Sequence, residues 1–292
     1  MSPTGRTCYL HGMSSPNAIE RRRAIARRAA EQYATNPAVA AVLLAGSVAR
    51  GLADDHSDIE LDIYWRRPPT DDERIAAVEG AGWERVYAED DEHEWADGYR
   101  IDGVKLDASS FLTSTIDGYL SAALQYADTE PELQVRITAL LQGQPFHGAR
   151  LIGTWRDRCS AYPTSLALAM VAKGLALRPR ERLEMLVARD DVLLLHRDLV
   201  DNLQGLLDAL FGLNRVFTPH PFHKWLEWEA TLIPLKPDDL VRRIRRLLGA
   251  TPREAVDDAS ALAEETFELV AAHLPEFQIA PVREAFAFRR TT

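Results

Sequence analysis

The stretch AGSVARGLADDHSDIELDIYW, residues 45–65, constrains the fold of this chain more than any other. In DIELDIYW acids alternate with aliphatic residues, and a strand points successive side chains to opposite faces. Asp58, Glu60 and Asp62 therefore share one face while Ile59, Leu61 and Ile63 pack beneath. The preceding run VAAVLLAGS, 39–47, predicts a buried strand that ends in a turn at Gly46-Ser47, with VARGL as a short helical turn before the acids.

Three like charges side by side repel. Protonation would require large pKa increases, whereas a divalent cation removes the repulsion and keeps the oxygens ionised for coordination; a solvated strand face is the alternative for the acids taken alone. A Gly-Ser turn at a strand end that opens a helical turn offers backbone N–H groups and a hydroxyl to a phosphate. A phosphate site beside a metal site points to nucleotide chemistry. Asp62, third along the strand, sits beyond that metal and hydrogen-bonds neighbouring structure in the plainer reading. Asp54, Asp55 and His56 read as turn formers and solvated side chains.

Around this core, IERRRAIARRAAEQYA (19–34) has helical spacing, and its five arginines predict a solvated basic face. TDDERIAAVEGAG (70–82) carries a Thr cap, first-turn acids and a glycine stop, the marks of a helix, and WERVYAE resumes strand character. In YRIDGVKLDASSF (99–111) the Asp102-Gly103 pair separates two alternating runs, a hairpin signal because both turn residues need positive φ. Pairing Ile101 with Val104 places Arg100 opposite Lys105 and Gly98 opposite Asp107, with Gly98 leaving room there for a ligand. The acidic stretch YAEDDEHEW (87–95) is expected as a solvated loop, with attraction of a cationic acceptor as its functional alternative, and Glu92-His93-Glu94 as surface.

From about residue 115 the apolar period becomes helical. The chain is thus expected to be α+β: a mixed sheet flanked by helices over 1–115, then an all-α domain over 116–292. RERLEMLVARDDVLLLHRDLVDNLQGLLDALFGLN (180–214) predicts one helix of about 50 Å, with further helices at 223–232, 237–249 and 252–274. On the long helix Asp191, Asp198, Asp201 and Asp208 line up as a stripe that either is solvated or receives a polycationic acceptor. Asp190 interrupts an apolar stripe, so as a buried acid it needs a partner, either Arg189, Arg197 or a ligand. Asp190 and Asp191 are the acceptor-binding candidates.

A formal charge of −10 argues against a general nucleic-acid or anionic-membrane binder, which needs a basic field. Cys8 and Cys159 make neither a disulfide framework nor a thiolate zinc site, the start MSPTGRTCYLHGM has no apolar signal core, and no run reaches the roughly 18 apolar residues of a membrane span. A cytoplasmic location is expected. Oligomeric state is not legible.

Gly46-Ser47, Arg50-Gly51 and Ser57-Asp58-Ile59-Glu60, in this order and spacing, resemble the DNA polymerase beta-like nucleotidyltransferase superfamily, and within it the kanamycin-type antibiotic nucleotidyltransferases. The resemblance covers residues 39–65 closely and the expected sheet to about 115 more loosely. It implies that Asp58 and Glu60 hold Mg²⁺, that Gly46 and Ser47 receive a nucleoside triphosphate, and that a helical domain closes the cleft. Members supply a third acid from a later strand; Asp107 fits that position, as a general base or as a further metal ligand. The segment LFGLNRVFTPHPFHKWLEW resembles a helical-domain segment of bacterial nucleotidyltransferases with similar Leu-Asn-Arg and Lys-Trp pairs. Arg215 and Lys224 there are candidates to reach the triphosphate, with Phe222 or Trp225 packing on base or acceptor; a core corner with snorkelling basic groups is the alternative.

The resulting expectation is a Mg²⁺-dependent enzyme that moves a nucleoside monophosphate, AMP from ATP, to a hydroxyl of a small acceptor such as an aminoglycoside-like antibiotic. The rival expectations are a nucleotidyltransferase that modifies tRNA or protein, and a non-catalytic antitoxin-like binding module.

Overall fold

Seven consecutive buried residues, VAAVLLA, make β1 (Val39–Ala45) an interior strand, as a run with no polar face requires. A computed structural model of the chain describes residues 16–78, 82–91 and 94–290. The architecture is α+β. A six-stranded mixed sheet is built from β1, β2 (Ile59–Trp65), β3 (Glu84–Asp90), β4 (Trp95–Ile101), β5 (Val104–Leu112) and β6 (Gln144–His147), in the order β3-β4-β5-β2-β1-β6. Only β2 and β5 run parallel; every other neighbouring pair is antiparallel.

The helices are α1 (Pro16–Tyr33), α2 (Gly46–Arg50), α3 (Asp71–Ala76), α4 (Thr113–Tyr126), α5 (Pro131–Gln142), α6 (Ala149–Arg158), α7 (Thr164–Gly174), α8 (Arg180–Ala188), α9 (Val192–Leu213), α10 (Leu226–Leu232), α11 (Leu240–Leu248), α12 (Pro252–His273) and α13 (Ile279–Ala287). Contacts divide the chain into two units. The sheet unit runs to Tyr119 and takes in Ala139–Cys159, while the helical unit comprises Leu120–Thr138 and the chain from Ser160 onward. Each has its own apolar core, Val42, Leu61, Trp65 and Leu106 in the first, Leu183, Leu210, Phe211 and Phe267 in the second. Among the described residues no helix is long and apolar enough to cross a membrane.

The hairpin forms in the expected register: Asp102 and Gly103 both take positive φ, and Ile101 faces Val104, Arg100 faces Lys105 and Gly98 faces Asp107. Thr70 caps α3 in a reciprocal capping box with Glu73. The glycine stop expected after it falls partly outside the described residues.

Three expectations are corrected. The stretch 180–214 is two helices, not one. Asp190 takes φ +56°, its N–H bonds Val187 O, and the Asp191 N–H reaches back to Leu186 O, which closes α8 with the left-handed termination that Asp tolerates better than most residues. The arginine-rich helix α1 is not simply solvated, because Arg22 is buried and donates to Ser57 O at 2.7 Å and Asp55 O at 2.9 Å. The acidic stretch 87–95 is largely a hairpin: β3 extends to Asp90 and β4 begins at Trp95, while Glu92 and His93 lie outside the described residues.

Candidate active site

Glu60 is the middle of the arrangement. On one side it faces Ala45, the last residue of β1, and on the other it faces Asp107 of β5. Asp58 immediately precedes β2 and, like Glu60, is exposed. The loop that delivers Asp58 is fixed at both ends of its turn: Asp54 accepts from His56 N–H at 3.0 Å and Ser57 Oγ at 2.9 Å, and Arg22 holds the carbonyls of residues 55 and 57. Asp54 is thus a turn former, as its sequence context predicts.

Gly46 opens α2 at φ +63°, and a Cβ built there would fall 2.3 Å from the carboxyl carbon of Glu60. Both properties of glycine are used, its left-handed backbone and its missing side chain. The Glu60 carboxylate lies directly over the Gly46 Cα. Ser47 is buried behind it, its carbonyl accepting from Leu52 N–H at 2.9 Å.

Asp107 is held by two donors. Tyr87 OH reaches Oδ1 at 2.7 Å and Lys105 Nζ reaches Oδ2 at 3.0 Å. The same ammonium lies 3.8 Å from Asp58 Oδ2 and 5.4 Å from the Tyr87 ring centre. Burial and the hydrogen bond to Asp107 push the Tyr87 phenol well above its ordinary pKa, and the bond to Asp107 raises that of Lys105. At neutral pH Lys105 is therefore an ammonium and Tyr87 a neutral phenol. Gly98, opposite Asp107, does not leave room for a ligand: a Cβ there would fall 2.0 Å from Tyr87 Cε1, so the space belongs to the tyrosine ring. Tyr87, Lys105 and Arg22 are the residues that sequence reasoning missed. The alternation of Arg85 and Tyr87 against exposed Val86 and Ala88 in β3 was the available signal for Tyr87.

Asp62 is buried and accepts from Tyr64 OH at 3.2 Å, a structural acid. Among the described residues no three His, Cys, Asp or Glu side chains converge closely enough to hold a metal ion. Asp58 and Glu60 nonetheless fit Mg²⁺ as a pair of exposed, hard oxygen donors, Glu60 having no ion pair or hydrogen bond among the described residues. Both oxygens of Asp107 are already engaged.

The remaining candidates lie in the helical unit. Arg215 follows α9 at φ +55°, exposed, with its guanidinium donating to Tyr162 O at 3.3 Å and Thr164 Oγ1 at 3.1 Å; Lys224 is exposed. Asp190 is exposed and is not the buried acid that one continuous helix required, because the chain turns there. Asp191 is exposed at the start of α9. The expected stripe does not act as one face: Asp198 is buried on Arg182 Nε at 2.5 Å, and Asp208 lies 3.4 Å from His223 Nε2, whose Nδ1 meets buried Glu229 at 3.0 Å.

Fold and side chains together define an α+β protein with an open pair of carboxylates beside a glycine turn. Residues 133–226 match a family described as a domain of unknown function, DUF4037. Two solved structures are similar. One is a nucleotidyltransferase-like protein from Exiguobacterium sibiricum 255-15, 14% identical, with 88% of this chain and 78% of that one covered at a TM-score of 0.42. The other is a cytoplasmic RNA terminal U-transferase, 13% identical, with 56% and 50% covered at a TM-score of 0.28. No protein of curated function matches.

Proposed function

We propose that the chain is a Mg²⁺-dependent nucleotidyltransferase that moves a nucleoside monophosphate, AMP from ATP, to a hydroxyl of a small cationic acceptor of the aminoglycoside kind and releases pyrophosphate. The observation that carries this reading is the placement of the Glu60 carboxylate, over the Cα of Gly46 and beside Asp107, with no partner among the described residues. An acid left open at a left-handed glycine turn costs the fold something and returns nothing to it, which is the balance expected of a functional group.

In this reading Asp58 and Glu60 hold Mg²⁺, and Gly46 and Ser47 offer the turn to the triphosphate. Bound Mg²⁺ supplies charge neutralisation and orientation of the phosphate oxygens. The acceptor oxygen forms a bond to the α-phosphorus as the bond to the β-phosphate oxygen breaks, and pyrophosphate leaves. The hydroxyl proton passes to Asp107. Its two oxygens are oriented by Tyr87 and Lys105 at 2.7 and 3.0 Å, and each keeps a further lone pair for that proton. Arg215 and Lys224 are candidate triphosphate contacts, and Asp190 and Asp191, exposed acids in a chain of charge −10, candidate contacts for a cationic acceptor.

Labelled ATP, GTP, CTP and UTP, each with Mg²⁺ and with aminoglycosides, tRNA or cell lysate, test the reading. Label from ATP should appear in an aminoglycoside, and Asp58→Asn should lower the rate on the order of 10²–10³-fold with the fold unchanged. Label in tRNA or protein would overturn the acceptor, and no label in any fraction would overturn the enzyme. Full activity of Asp58→Asn would remove the metal assignment.

A further inference from the structure

A recess within the helical unit carries polar groups that the fold does not use. Its floor holds Gln134, Thr218 and Met170, all buried, and its rim holds Thr129, Asp208 and Lys173. Both the amide nitrogen and the amide oxygen of Gln134, which is wholly buried, and the Thr218 hydroxyl lack a hydrogen-bond partner among the described residues. Leaving one such group unpaired is costly; three around one recess mark a built site.

The chemistry of an occupant follows from size, charge and bonding capacity. The recess measures about 10 Å³, room for one non-hydrogen atom. Its charges balance. Lys173, whose Nζ donates to Thr129 O at 2.9 Å, and Asp208, which lies 3.4 Å from His223 Nε2, both line it, one cation and one anion. An added ion of either sign would find no net opposite charge in that lining. The unpaired groups are the donor and the acceptor of the Gln134 amide and the Thr218 hydroxyl, which can be either, so a group that both donates and accepts can pair with at least two of the three.

We propose that this recess binds a single hydroxyl group of a small neutral alcohol or polyol, its oxygen accepting from the Gln134 amide and its proton directed to Asp208 or Thr218. The site is independent of the nucleotidyl-transfer reading, so either can fail without the other.

The side-chain amide pair of Gln134 in the full-length protein reports on the site by NMR, identified by its loss in Gln134→Met. Ethylene glycol should shift it saturably, while methylammonium and formate at the same concentration should not. Thr218→Val, close in shape, should weaken the glycol about fivefold, the worth of one hydrogen bond, and Thr218→Ser should restore it. Lys173→Met removes the one cation of the lining and should turn the preference toward methylammonium. The proposal is overturned if glycol gives no saturable shift, if either ion binds the unmodified protein better, if Thr218→Val binds glycol as the unmodified protein does, or if the recess holds only a slowly exchanging water that glycol never displaces.

Discussion

The acids of the helical unit and the acids at the end of β2 face the same physical problem and meet it in opposite ways. Asp198 is buried with Arg182 at 2.5 Å and Arg178 at 3.9 Å, and Glu229 is buried on His223 at 3.0 Å. Asp58 and Glu60 are exposed; the first has an ammonium 3.8 Å away and the second has no partner among the described residues. The sheet unit is not short of pairing capacity, since its Asp97 is buried between Arg74 and Arg85. A buried acid with a cation in place serves the fold, and an acid left open over a glycine turn is available for chemistry.

The largest effect that would break this contrast lies at Asp198. Asp198→Ala leaves two guanidinium groups around a buried site; because Arg182 is partly exposed and can turn to water, the loss should be about 3 kcal/mol, the lower end for a broken buried pair. Urea denaturation measures it. A loss below about 1 kcal/mol would put Asp198 among the solvated acids.

Next in size is the pH dependence of the same unit. Burial opposes a charge on His223, but the carboxylates of Asp208 and Glu229, 3.4 and 3.0 Å from its ring nitrogens, outweigh it and lift the pKa from 6.5 to about 9. The folded state holds this proton more tightly than the unfolded chain does. The stabilisation is therefore complete below the unfolded value near 6.5 and is lost as pH rises through about 9, by up to about 3 kcal/mol. Urea denaturation across that window should show the decline, and His223→Gln should flatten it. A flat profile in the unmodified protein would dissolve the Asp208–His223–Glu229 pairing.

What the sequence disclosed, and what it withheld, divides along the same line between local and distant causes. The alternation in DIELDIYW and the Asp102-Gly103 turn are set by neighbours in the chain, and the hairpin register followed from them to the residue. That register sets Asp107 opposite Gly98, while its place beside Glu60 comes from the parallel pairing of β2 with β5, which no local signal announces. The cations and donors around it were not announced either. Tyr87 comes from a strand two removed and Arg22 from a helix, and nothing local distinguishes Arg22 from the four other arginines of its segment. Strand β6 escaped notice because QPFH is four residues long and holds Pro145, which only a strand at the sheet edge tolerates. The break at Asp190 carries no glycine to announce it.

Gly46→Ala sharpens the comparison from the other side. The left-handed backbone costs an alanine about 1–2 kcal/mol, and the new methyl must also displace the Glu60 carboxylate, whose carbon lies 2.3 Å from its position. Because Glu60 is exposed it can move outward, so stability should fall by no more than the backbone term while transfer activity is lost. Heat or urea denaturation beside the labelled-nucleotide assay separates the two. Activity retained with the carboxylate displaced would show that Glu60 need not occupy that place.

The smallest effect is the most discriminating. Glu60→Gln keeps the shape, removes a charge that stands beside Asp58 and Asp107, and breaks no ion pair among the described residues. Removing a partner from a structural acid destabilises, whereas removing a like charge from a repelling group relieves it, so the sign of the change identifies which kind of acid Glu60 is. The expected change in urea denaturation is within about 0.5 kcal/mol of zero, on the stabilising side at low salt and vanishing at high salt as screening removes the repulsion. A loss above about 1 kcal/mol would mean that Glu60 has a structural partner after all, and of the two acids Asp58 alone would then remain open to a ligand.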